Sequence, residues 1–355
     1  MRERQEKLRS VFDELRIDAF LVTVSAHLRY VSNFSGSHGV GIVTRNAAYL
    51  VTDGRYSTHV KQEVHDWKVL IAAESLFDKI QRLGLLKNGW RVGFDGNGVS
   101  YSTYRSLQKH FPEVKFAPKA DVIESLAVVK EKSEIKKIRR AITITDTVFG
   151  EILDCFRPGI RELDIAAEIT FRQRKHGASG DGFEPIVASG IRGALPHGRA
   201  TSKKIMRGEL VTLDFGCVFE GYHSDLTRTV ALGKPSGESR KMYRTVLEAQ
   251  SQAIEAATDG MAAKDLDAVA RVHINKKGYG KYFNHSLGHG LGLQLHEPPR
   301  VSAFSKARLH SGNVITIEPG IYVPEVGGVR IEDDVLINNG SCTVLSRASK
   351  ELIVL

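Results

Sequence analysis

The sequence predicts two domains: an α/β domain over residues 1–125, then an α+β domain over residues 126–355 built from two similar halves related by an internal pseudo-twofold duplication. Three observations carry this. The chain has 355 residues, 42% of them hydrophobic, which is long for one ordinary domain and sufficient to fill two cores. Strand-like and helical segments alternate through the first third, the pattern of an α/β domain. Beyond Glu134 the chain repeats itself as helix, helix, histidine and acid-bearing hairpin.

Residues 2–16 read as an amphipathic helix. Strands are expected over Ala19–Val24, Val40–Thr44, Ala48–Thr52, Trp67–Ala72, Arg91–Phe94 and Val114–Phe116, with helices near 56–64, 75–86, 100–110 and 120–130. The glycine-rich piece Gly36–Gly41 neither follows a good strand nor opens a helix, so it is no dinucleotide fingerprint. The hand-over to the second domain falls within Ile123–Ser133.

In the second domain a helix near 134–156 ends at Arg157-Pro-Gly159, and a second opens at Leu163-Asp164 and closes near Gly177. The later copy has a helix near 236–257 ending at Thr258-Asp-Gly260, then one opening at Leu266-Asp267 and closing near Gly278. Each half then reaches a histidine beside proline, Pro196-His197 in one and His296-Glu297-Pro298 in the other. After it comes a Gly-x-apolar-apolar-Thr-apolar-acid-x-Gly phrase, Gly208–Gly216 with Asp214 and Gly312–Gly320 with Glu318. Residues two apart on a strand share a face, so Thr212 sits with Asp214 and Thr316 with Glu318. Each phrase turns, through Glu220–Tyr222 or Pro324–Gly328, and returns with a second acid, Asp225 or Glu332.

Two hairpins with one acid on each arm can gather four carboxylates at one spot. Bare carboxylates at close quarters repel and raise one another's pKa, so the arrangement makes sense around cations. His289, flanked by Gly288 and Gly290, is an imidazole on an open loop whose backbone can approach its neighbours closely. With Asp214, Asp225, Glu318 and Glu332 it forms an oxygen-rich set suited to two divalent ions.

Composition removes several alternatives. The net charge of +9 is spread thinly. Its densest run, Lys130–Arg140, interleaves acids with Ile135, Ile138 and Ile142 at helical spacing and reads as one face of a helix, so no nucleic-acid partner is expected. No stretch reaches the length of a membrane span, so no membrane partner is expected either. The charged start Met1–Lys7 lacks the form of a signal peptide. Cys155, Cys217 and Cys342 stand singly, as in a reducing compartment, and a cytoplasmic location is expected. Cys217, three residues after Asp214, reads as a small buried filler, and Tyr222 as a packing residue.

The strings LDFG, SDLTRT, GHGLGLQLHE, ITIEPG and GVRIEDD, in this order, resemble the pita-bread metallopeptidases, the group of methionine aminopeptidases, prolidases, aminopeptidase P and creatinase. The resemblance implies that Asp214, Asp225, His289, Glu318 and Glu332 are the ligands of two metal ions. Mn(II) is the expected metal, with Co(II), Fe(II) and Zn(II) compatible. A preceding α/β domain is similar to that of the creatinase/prolidase N-terminal type and implies the Xaa-Pro peptidase branch. The full ligand set disfavours a metal-free creatine hydrolase, and a non-catalytic RNA- or protein-binding homologue would show gaps in that set.

On this resemblance the substrate is a proline-containing peptide cut before the proline, the assembly is a homodimer, and Glu318 shuttles the proton. His296 and His197 are expected to stabilise the oxyanion, while His285 and Arg330 shape the pocket beyond the cut. The Asn33–Ser37 stretch favours an aminopeptidase P type acting on longer peptides over a prolidase confined to dipeptides.

Overall fold

The computed structural model describes residues 1–355 and divides into two units, Met1–Ala127 and Val128–Leu355. The first unit holds a six-stranded sheet. Its strands lie in the order Lys68–Ala72, Ala48–Asp53, Gly39–Thr44, Ala19–Val22, Arg91–Asp95 and Lys115–Lys119. The two pairings made by Gly39–Thr44 are antiparallel and the other three are parallel. Helices Leu76–Arg82 and Tyr101–His110 bury Leu76, Ile80 and Leu107 against Leu21, Ile42, Val51 and Val92 of the sheet.

Two local expectations change. The first helix breaks at Val11 into Arg2–Ser10 and Phe12–Leu15, ending on left-handed Arg16. A helix at Ser25–Ser32 has no counterpart in the sequence reading. It is eight residues long, too short to hold alone, and Ser25, His27, Tyr30, Val31 and Ser32 have only middling helix propensity, so it draws its stability from burying His27, Leu28, Tyr30 and Val31.

The second unit bears out the duplication. Helices Lys132–Ile152 and Glu162–Lys175 cover strands Ile186–Ser189, Glu209–Phe215 and Leu226–Leu232, sharing a core that includes Ile144, Val148, Ile165, Ile169, Leu213 and Val230. Helices Gly237–Ala256 and Ala263–Lys276 do the same for a five-stranded sheet, with Val246, Leu266, Ile274, Ile315 and Val335 in a second core. This is the pita-bread fold. The run Lys130–Arg140 lies largely on the first of these helices and turns Ile138 into the interior.

The acid-bearing hairpins are more elaborate than two arms and a turn. Glu209–Phe215 pairs antiparallel with Leu226–Leu232, placing Asp214 opposite Thr227, and a small hairpin of Cys217–Phe219 with Tyr222–His223 sits between them. Likewise Val314–Ile317 pairs with Asp333–Asn338, and the hairpin of Gly320–Val323 with Gly327–Arg330 sits between. Inserting a hairpin between the paired strands puts Glu318 and Glu332 on the connections at its base.

Candidate metal centre

The strand ends bring the five sequence-predicted ligands together. Asp225, His289 and Glu332 each offer an atom within 4.8 Å of the other two. Glu318 Oε1 is 3.4 Å from His289 Nε2, and Asp225 Oδ2 is 3.7 Å from it. Asp214 lines the same cavity as these four residues, with its Oδ2 held by Arg330.

The glycines beside His289 are sterically required. A Cβ at Gly288 would lie 2.0 Å from the Thr316 carbonyl oxygen, and one at Gly290 would lie 2.2 Å from that of Pro298. This close approach lets the His289 amide donate to Thr316 Oγ1 (3.1 Å). The imidazole Nδ1–H donates to the Gly290 carbonyl (3.0 Å), which leaves the Nε2 lone pair facing the acids. Burial, then the neighbouring His296, push the His289 pKa down to about 4, so the ring is neutral at pH 7.

Asp214, Asp225 and Glu332 are buried, Glu318 is partly so, and the four are mutually repulsive. Burial first, then the other carboxylates, raise Asp225 and Glu332 well above the ordinary carboxylate range, and burial lifts Glu318 to about 8. Asp214 Oδ1, Asp225 Oδ1 and Glu332 Oε1 are buried oxygens without a hydrogen-bond partner. Four carboxylates, one neutral imidazole and three orphaned oxygens fit a set of hard divalent cations, which would satisfy lone pairs that the protein leaves open.

Neighbouring side chains hold the remaining oxygens of Glu332 and Glu318 and fix the Asp225 backbone. Thr227 Oγ1 donates to Glu332 Oε2 (2.6 Å) and Thr316 Oγ1 to Glu318 Oε1 (3.3 Å), while the Asp225 amide donates to Asp334 Oδ2 (3.1 Å). Strand period pairs Thr316 with Glu318, whereas the sequence reading does not single out Thr227 or Asp334; the signal for Thr227 is its place two residues after Asp225 in Asp225-Leu-Thr227.

The centre forms the floor of a cavity of about 640 Å³ whose wall includes Phe183, His197, Leu295, His296, Pro298 and Arg300. His197 and His296 are exposed there, and the His296 ring meets His289 edge-on at 4.3 Å.

His285 and Arg330 also line the cavity, but their polar atoms are engaged with protein. His285 Nδ1–H donates to the Ser286 carbonyl (2.8 Å) and its Nε2 accepts from Tyr322 (2.9 Å); burial, then Arg330, hold its pKa near about 3. Arg330 is 3% exposed and donates to Thr227 Oγ1, the Pro196 carbonyl, the Tyr322 hydroxyl and Asp214 Oδ2, the last at 2.5 Å. Its fork therefore faces a metal-site acid instead of standing free for a substrate carboxylate. Arg300 is the exposed arginine of the wall, with Nε donating to Ser286 Oγ (2.9 Å), and the sequence reading did not single it out.

The other two assignments resolve simply. Cys217 is wholly buried in the first core, its thiol near the Ala141 carbonyl, and burial raises its pKa. Tyr222 packs beside Ile138 and Leu291 and donates its hydroxyl to Glu134 (3.1 Å).

Comparison with known proteins agrees with this geometry. Residues 136–339 match the model of Metallopeptidase family M24, and residues 4–129 match that of the Creatinase/Prolidase N-terminal domain. The chain belongs to the metallopeptidase family M24. It is 40% identical to a Xaa-Pro dipeptidase of Pyrococcus furiosus over 99% of this chain and 100% of that one. Among solved structures, a Xaa-Pro dipeptidase from Bacillus anthracis superposes with a TM-score of 0.96 at 39% identity, covering 99% of both chains. An X-Pro aminopeptidase from Thermotoga maritima gives 0.90 at 38% identity, covering 97% of this chain and 99% of that one. Membership of this metallopeptidase family implies divalent metal ions at the centre.

Proposed function

We propose that this metallopeptidase hydrolyses the bond between an N-terminal residue and proline, acting chiefly on Xaa-Pro dipeptides. The observation that carries the reading is the convergence of Asp214, Asp225, His289, Glu318 and Glu332, three of them with orphaned buried oxygens, at the floor of a cavity walled by apolar side chains and histidines. The sequence reading favoured the aminopeptidase P type. Full-length similarity to Xaa-Pro dipeptidases, together with the exposed Arg300 on the wall, supports the dipeptidase instead. A dipeptide ends in a carboxylate directly after proline, and a guanidinium is the side chain best shaped to receive one.

Two divalent ions held by the five ligands would supply Lewis acidity, lowering the pKa of water and drawing electron density from the scissile carbonyl. Glu318 has the most exposed side chain of three of the acids, at 18% against 12% for Asp214 and 7% for Asp225, and so it is the one placed to take a proton from water and pass it to the leaving nitrogen. Partial desolvation lowers the pKa of the exposed His296 from its ordinary value, which favours the neutral ring, and its N–H can donate to the carbonyl oxygen as charge develops there; His197 faces the same cavity. Arg330 and Tyr322 act behind the site, fixing Asp214 and His285. The apolar Phe183, Leu295 and Pro298 offer contact to a proline ring, whose nitrogen has no N–H to satisfy.

The oxygen-rich ligand set supports Mn(II), with Co(II), Fe(II) and Zn(II) as compatible ions. Three unpaired cysteines support a cytoplasmic location, and the family resemblance supports a homodimer. The rate on Xaa-Pro against Xaa-Pro-Zaa with Mn(II) present tests the specificity, a faster dipeptide being expected. Protein reconstituted with Mn(II) or Co(II) that retained no metal and cleaved no proline peptide would overturn the enzyme reading.

A further inference from the structure

Each half of the catalytic domain contains a fully buried acid that lies outside the cavity wall and is tied to an arginine. Glu162, the first residue of its helix, is 0% exposed. Its Oε1 accepts from the Ser189 amide (2.9 Å) and hydroxyl (2.8 Å), and its Oε2 from the Thr201 amide (3.1 Å) and hydroxyl (2.8 Å) and from Arg192. Arg192 in turn donates to the Arg199 carbonyl (2.7 Å). One carboxylate thus clasps both ends of the segment 189–201, and that segment carries Pro196 and His197 to the cavity.

The second half repeats the device with different residues. Asp267 is 0% exposed and accepts from Arg271 through both oxygens (2.7 and 2.8 Å) and from the Leu287 amide (3.1 Å). Arg271 reaches on to the carbonyls of Phe283 (3.0 Å) and His285 (2.8 Å). The segment clasped here, 283–287, carries His285.

We propose that the Glu162–Arg192 and Asp267–Arg271 pairs are positioning residues that set the placement of His197 and His285 respectively, each acting on its own loop. The assignment rests on the Xaa-Pro peptidase reading for its kinetic consequence. Its physical basis is the donor count. A buried carboxylate can accept from both loop ends and the arginine at once, whereas an amide of the same shape turns an NH₂ toward donors and leaves buried groups unpaired. Loosened loop ends would misplace an imidazole by a fraction of its hydrogen-bond reach, and displacements of about 1 Å can cost a hundredfold in rate.

The test uses the full-length, Mn(II)-loaded protein and double-mutant cycles on an Xaa-Pro substrate. Glu162→Gln and Asp267→Asn alone are expected to lower kcat about ten- to a hundredfold with bound metal unchanged. In the His197→Ala background Glu162→Gln should cost less than about threefold further, while in the His285→Ala background it should retain its full effect; Asp267→Asn should show the reverse. Hydrogen exchange gives a readout that needs no turnover: Glu162→Gln, or the milder Thr201→Val, should speed exchange over 189–201 and leave 283–287 at the wild-type rate. Effects that multiply equally in both histidine backgrounds, or exchange that rises equally in both loops or in neither, overturn the proposal. If wild-type protein cleaves no proline peptide, the functional reading fails, and the exchange pattern still decides the positioning.

Discussion

Replacing Arg300 by methionine removes the exposed guanidinium from the cavity wall and keeps an apolar stem of similar length. Its Nε is already spent on Ser286 Oγ, so what a substrate meets is the terminal edge of the guanidinium. A charge-assisted hydrogen bond contributes roughly 1.5–3 kcal/mol when sheltered, and exposure to solvent moves the value toward about 1–2 kcal/mol. That corresponds to a loss of roughly five- to thirtyfold in kcat/KM, confined to substrates whose carboxylate directly follows proline. The assay compares Xaa-Pro with Xaa-Pro-Zaa and with the Xaa-Pro amide, wild type against Arg300→Met, all with Mn(II). The dipeptide should lose most of its advantage while the amide and the tripeptide change less than about threefold. An equal loss on all three substrates would show that Arg300 supports the site in general, and an unchanged dipeptide rate would refute the carboxylate contact.

Glu318→Gln keeps the shape of the ligand but removes its basicity, so turnover should fall by at least about a thousandfold, measured with bound metal counted in the same sample. Arg228 is a large side chain with 1% exposure that ties Asp333 Oδ1 (2.7 Å) and the carbonyls of Ala348 and Ser349 together, and Arg228→Ala should cost about 3–5 kcal/mol in urea unfolding by stripping a buried acid of a partner. In chelator, stability should fall as pH rises from about 6.5 to 8, by up to about 1.4 kcal/mol per pH unit for each raised carboxylate. The sign follows from Glu318, lifted to about 8, which keeps in the fold a proton that the unfolded chain has already released. His285 and His289, lowered to about 3 and about 4, act oppositely and only below about 6.5. Added Mn(II) should flatten that slope, and metal-free stability rising over the same range would refute the account.

Asp214 and Glu318 were legible as candidate ligands because the duplicated phrase places each two residues from a threonine and a glycine, and Asp225 and Glu332 followed as the acids on the returning arms. Arg330 was legible as a member of the site but not in its role. A string shows that an arginine is near, whereas its use depends on which acid its fork meets after folding, here Asp214. Arg300 carried no signal beyond following Pro298-Pro299, since an exposed arginine is ordinary until a cavity is seen beside it. The helix Ser25–Ser32 was invisible for a different reason: its stability is tertiary, and local propensity gives it little support.

The two halves differ in a way that the repeat conceals. Asp214 belongs to the first half, yet its countercharge, Arg330, comes from the second. Glu332 belongs to the second half, yet its hydrogen-bond donor, Thr227, comes from the first, and Thr227 also accepts from Arg330 (3.0 Å). The Asp225 amide is likewise held by Asp334 across the same seam. A buried carboxylate without donors or a countercharge is expensive, by several kcal/mol, so neither half alone could satisfy and fix its own acids. Exchange of these supports makes the metal centre a property of the closed pair of halves. It also explains why Arg330, which a free pocket would offer to substrate, is instead committed to the seam that assembles the site.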